Sequence, residues 1–135
     1  MDSEPATTTY SIPEPFGETL RSLRDVLTGR DLRITGELDL SRRIQRNLRI
    51  GLVPCVVIYV WPSDRLLRSF VVRPSTALLL PLHVVVSGRG TRTEIHLLKL
   101  PRLDGGAHIA PIVKLQIIEV AQAIETIAMP LSLVG

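Results

Sequence analysis

The chain has 135 residues, is 45% hydrophobic and carries a formal charge of +3. That length suits a single domain with a core of its own. Five aromatic residues (Tyr10, Phe16, Tyr59, Trp61, Phe70) are too few for a stacking platform for single-stranded nucleic acid. The lone Cys55 excludes an internal disulfide and gives no sign of an oxidising compartment.

The positive charge is nearly all arginine, with lysine only at Lys99 and Lys114. Arginine suits planar, bidentate partners such as carboxylate or phosphate, and the plainer alternative is a compositional bias. The longest apolar segment, Ile109 to Met129, is interrupted by Lys114, Gln116, Glu119, Gln122 and Glu125, so no membrane span is expected. Met1 to Thr9 is acidic and polar where a signal peptide has a basic start, which makes the cytoplasm the expected compartment.

Residues 1–6 read as a tail and residues 7–135 as one α+β domain. Thr7 to Ile12, β-branched and aromatic, predicts a strand. Pro15 opens a helix with Phe16, Leu20, Leu23 and Leu27 on one side, and Gly29 stands where a left-handed cap belongs. Leu32 to Leu40 switches to period two, with Leu32, Ile34 and Leu38 alternating with Arg33, Thr35, Glu37 and Asp39.

Asp39 or Ser41 can cap a helix over Ser41 to Ile50, ended by Gly51. The apolar run Val53 to Trp61 predicts a central strand. Pro62-Ser63-Asp64 starts a short helix with Leu66, Leu67 and Phe70 inward, closed by Pro74. Leu78 to Ser87 and Arg92 to Leu100 form a hairpin around Gly88-Arg89-Gly90-Thr91. After the loop Pro101 to His108, Ala110 to Met129 predicts the longest helix, ended by Pro130. Its polar positions (Gln116, Glu119, Gln122, Thr126) make a narrow stripe, so protein should cover most of its girth.

The expected order is β-α-β-α-β-α-β-β-α, which predicts a mostly antiparallel sheet with helices packed on one face. The apolar surplus and the apolar last helix predict a homodimer.

The middle of the chain resembles the family known as Domain of Unknown Function 302, over roughly Thr7 to Ala128. Gly29 matches that family's first helix end, and Gly36-Glu37-Leu38-Asp39 is close to its Thr-Glu-hydrophobic-Asp strand. Val57 to Val86 aligns without a gap: Arg68, Phe70, Pro74, Leu78-Leu79-Leu80-Pro81 and Val84-Val85-Val86 fall where similar residues are expected. The resemblance implies a sheet-and-two-helix fold like that of TATA-binding-protein-like domains, a likeness of shape that implies no DNA binding. Two Cys-Asn pairs of the family are replaced here by Trp61-Pro62 and Leu82-His83, so no thiol chemistry carries over.

Three clusters are candidate sites. A hairpin turn centred on Arg89-Gly90 would place His83 opposite His96, Val85 opposite Glu94 and Ser87 opposite Arg92, all on one face. Two imidazoles and a diagonal carboxylate could bind a small ligand or a metal, or exchange a proton; the alternative is a plain polar sheet face. Trp61, at a strand-to-helix junction, could line the same pocket or pack in the core.

Arg42, Arg46 and Arg49, on one side of the second helix, could bind an anion, although a solvated amphipathic helix explains them as well, and nucleic acid is not the expected partner. Glu37 and Asp39 share a strand face and read as structural, capping or pairing with Arg33 or Arg42. Cys55, before an apolar run, reads as a buried thiol. No nucleophile–base motif is readable, so the expectation is a binding or interaction domain rather than an enzyme. The alternatives are a histidine- or metal-assisted enzyme at His83 and His96, and a nucleic-acid accessory protein using the Arg42 to Arg49 helix. No cofactor is readable.

Overall fold

The computed structural model describes residues 7–42, 53–69, 81–98 and 111–134. In chain order the elements are β1 (Thr7–Ile12), α1 (Phe16–Gly29), β2 (Arg33–Asp39), β3 (Cys55–Trp61), α2 (Asp64–Ser69), β4 (Leu82–Arg89), β5 (Arg92–Leu98) and α3 (Pro111–Val134). The five strands form one sheet in the order β1-β5-β4-β3-β2. Every neighbouring pair is antiparallel. This is the expected α+β arrangement. Residues 40–42 are helical, and the rest of the helix predicted to Ile50 lies outside the described residues.

Alternation along the strands decides what is buried. Ile58 and Val60 of β3, Val84 and Val86 of β4, Ile95 of β5 and Ile12 of β1 are fully buried. They meet Leu23 and Leu27 of α1 and Val120, Ala123 and Ile124 of α3 in one core cluster. The loop before α1 is tied to the sheet by Thr93 of β5 and to the helix by Thr19 of α1. Thr93 Oγ1 donates to the Glu14 carbonyl at 2.7 Å and Thr19 Oγ1 at 3.3 Å.

Several local expectations are corrected. Gly29 is not the left-handed cap: that conformation falls on Asp31, with φ of 62°. The Leu32 N–H reaches the Leu27 carbonyl at 3.0 Å and the Asp31 N–H reaches Thr28 at 3.1 Å. This six-to-one and five-to-two pairing needs the residue after the cap to be left-handed, which aspartate tolerates better than most residues. Leu27 and Leu32, both buried, supply the apolar contact that goes with it.

Pro130 does not end α3, which runs on to Val134; a proline near a helix end removes one hydrogen bond without unwinding the turn beyond it. The polar stripe of α3 coincides only in part with its solvent edge: Gln122 and Thr126 are exposed. Gln116 is fully buried, whereas Leu115 and Ile118 are exposed.

Strand β2 departs furthest from simple alternation. Its pairing shifts between Ile34 and Gly36, so that Ile34 faces Val60 while Glu37 faces Ile58 and Leu38 faces Val57. Thr35 is the extra residue of a β-bulge. Leu38 therefore joins the face away from the helices, and Glu37 turns towards them. There Glu37 takes a bidentate pair from Arg24 of α1, at 2.6 and 2.7 Å. Its partner is neither Arg33, which lies 3.6 Å from Asp64, nor Arg42. The Arg24 guanidinium holds the Glu37 carboxyl below the usual carboxylate range.

Replacing Glu37 by glutamine should lower stability by about 1 kcal/mol at neutral pH. A carboxyl whose pKa is lowered on folding stabilises fully above its ordinary pKa of about 4.3 and loses that contribution as pH falls through the folded value. Urea titrations of both proteins should therefore converge in acid, and a constant gap would refute the ion pair's role.

Candidate functional site

The face opposite α1 and α3 carries the polar residues that the sequence singled out. Its side chains form cross-strand rows. One row runs Thr9, His96, Val85, Val57, Leu38, and the next runs Ser11, Glu94, Ser87, Cys55. A third pairs His83 with Tyr59 and Tyr59 with Gly36.

The hairpin register differs from the expected one by two residues. Val85 faces His96, Ser87 faces Glu94 and Arg89 faces Arg92, leaving Gly90-Thr91 as a two-residue turn. Gly90, with φ of 69°, supplies the left-handed conformation that such a turn requires. A shift of two keeps each side chain on its predicted face but changes its partner. His83 and His96 therefore share a face without being opposed. His83 instead meets Tyr59 edge-on, with ring centroids 4.9 Å apart and planes at 90°.

His96 is the centre of the polar cluster. Its Nδ1 is 3.0 Å from the Thr9 hydroxyl and its Nε2 is 3.2 Å from the Ser87 hydroxyl. Glu94 Oε1 lies 3.6 Å from Nε2 and 3.3 Å from Arg89 Nε. Arg92 donates through Nη2 to Ser11 Oγ at 2.7 Å. The side chains of His96 and Glu94 are 28% and 27% exposed, so both are held by neighbours yet reachable from solvent. Beside them lies an apolar strip. Val57 is 8% exposed yet stands outside the core cluster, and Val85 and Leu38 flank it half-buried.

A serine hydrogen-bonded to a histidine is one half of a nucleophile–base device. The other half would be an acid on the far ring nitrogen. Here the far nitrogen carries Thr9, and Glu94 sits on the serine side. Among the described residues no three histidine, cysteine, aspartate or glutamate side chains stand together as a metal site would require.

Cys55 is half-buried, and burial, with the Asp39 charge second, pushes its thiol pKa up, which disfavours thiolate. Asp39 serves the backbone: its Oδ1 accepts from the Arg42 N–H at 2.9 Å and from Ser41 Oγ at 2.8 Å. These two bonds hold its carboxyl below the usual range. Trp61 is partly buried and packs against the core. Of the arginine cluster only Arg42 is described; Arg46 and Arg49 lie outside the described residues. Sequence reasoning missed Thr9 and Tyr59, for which only the strand register could have been the signal.

A five-stranded antiparallel sheet with two long helices on one face and a polar cluster on the other defines a small α+β class. The crystal structure of an uncharacterized conserved protein DUF302 from Bacillus stearothermophilus shares this fold, with a TM-score of 0.67 at 17% identity over 92% of this chain and 96% of that one. The family model for Domain of unknown function DUF302 matches residues 8–129, and the chain belongs to that family. Comparison with curated proteins finds no match. No helix among the described residues is long and apolar enough to cross a membrane.

Proposed function

We propose that the protein is a non-enzymatic binding domain that takes a small ligand on the sheet face away from its helices. The observation that carries this reading is the arrangement around His96. An imidazole held at both nitrogens by hydroxyls from two other strands is pre-organised, with little ordering left to do on binding. The Val57–Val85–Leu38 strip next to it offers apolar contact, and the His83–Tyr59 pair bounds it. A polar group set beside an apolar floor is the usual make-up of a small-molecule site. The placement of Thr9, where a triad would need an acid, favours binding over hydrolysis.

The same reading takes the protein as a cytoplasmic homodimer. The exposed Leu115 and Ile118 of α3 and exposed Val53 support the second copy, and the lone thiol supports the compartment.

Native mass spectrometry of the purified protein tests both. The expected spectrum is a dimer with retained mass that disappears in the His83→Ala/His96→Ala double variant. Mass that persists in the double variant refutes the site, and a monomer at micromolar concentration refutes the dimer. Should the wild type carry no extra mass, a metabolite mixture that leaves the amide resonances of this face unmoved refutes it equally.

A further inference from the structure

The polar stripe of α3 remains unused by the sheet face, and it leads to a second place. Gln116, Glu119 and Gln122 follow one another at three-residue steps, so each turns about 60° from the last. The first points into the core and the last reaches the surface. Where the stripe emerges there is a cavity of about 380 Å³ lined by Arg30, Asp31, Ser63, Arg65, Glu119 and Gln122. A second cavity of about 340 Å³ shares Arg30 and Gln122 with it.

The floor is well built. Ser63, 3% exposed, donates to Glu119 Oε2 at 3.3 Å and accepts from the Leu66 N–H at 3.3 Å. Arg65 Nη2 donates to the same Glu119 oxygen at 3.0 Å. Glu119 Oε1 is buried and has no hydrogen-bond partner. The rim is different. Arg30 and Asp31 are exposed, and their backbone is pinned by the left-handed turn that ends α1. Adjacent in sequence, they do not pair with each other. Among the described residues no ion pair or side-chain hydrogen bond engages either charge.

Two cations and two anions therefore face one small volume, and one of each sign is open. A simple anion entering here would meet Asp31 and Glu119. A simple cation would meet Arg30 and Arg65. Among charged molecules, only one carrying both signs can set each of its charges against an opposite one. We propose that this cavity binds a small zwitterion of the free amino-acid type. Its carboxylate lies on Arg30, with the Gln122 amide within the same wall, and its ammonium lies on Asp31. The volume is at the small end of ligand pockets, which fits a molecule of that size.

Full-length protein labelled with nitrogen-15 is titrated with L-alanine and L-glutamine, and separately with acetate and ethylamine at matched ionic strength. The amino acids should give saturable amide shifts at Asp31, Ser63 and Glu119, with acetate and ethylamine binding at least about tenfold more weakly. Arg30→Gln and Asp31→Asn should each weaken amino-acid binding by about tenfold. Both sites are exposed and asparagine keeps the left-handed turn, so both variants should fold. The proposal falls if neither amino acid saturates by about 10 mM. It falls equally if acetate or ethylamine binds as well as they do, or if the two variants leave the affinity unchanged.

Discussion

Replacing Ile58 by alanine should lower the unfolding free energy by about 3–4 kcal/mol, with a drop in Tm of roughly 10–15 °C. Ile58 is fully buried on β3, a strand paired on both sides, by β2 and β4. Its neighbours across those pairings are Glu37 and Val84. A strand bonded along both edges cannot slide inward to fill the space, so most of the cavity left by the lost side chain remains open. In urea the midpoint should fall while the slope stays constant, because the surface exposed on unfolding barely changes. A loss below about 1 kcal/mol would mean that the helices had closed over the gap.

Replacing Gln116 by alanine should cost about 2–3 kcal/mol. Its Nε2 donates to the Val60 carbonyl at 2.9 Å inside the core, and the residue is fully buried. Side chains serve two successive carbonyls at this end of β3: Thr35 Oγ1 donates to Tyr59 at 3.3 Å and Gln116 to Val60. Gln116→Leu separates the two contributions. It restores most of the volume but not the donor, so thermal unfolding should show about 1–2 kcal/mol lost. Equal losses for alanine and leucine would assign the whole effect to the carbonyl, and no loss for leucine would assign it to packing.

Most of the architecture was legible because it rests on periodicity. Phe16, Leu20, Leu23 and Leu27 recur at helical spacing, and Leu82, Val84 and Val86 at strand spacing, so their faces followed directly. What was illegible turns on single residues. The segment Gly88-Arg89-Gly90 offers two glycines, and only the one with positive φ marks the turn. The choice moves His83 away from His96 while leaving both on the predicted face. The cluster around His96 was likewise half visible. Glu94 and Ser87 were placed on its face, whereas Thr9 came from a strand 87 residues away whose register no local pattern records. Arg24 was hidden as the partner of Glu37 because the bulge changes the side to which Glu37 points.

That extra residue also governs how this chain should be lined up with its relatives. A family member with a regular strand here would carry one residue fewer between the positions of Ile34 and Glu37. Matched column by column without a gap, its acids would be set against residues of the opposite face. Apparent exchanges of leucine for glutamate would then record a missing position and not a change of chemistry. A gap at Thr35 restores the correspondence.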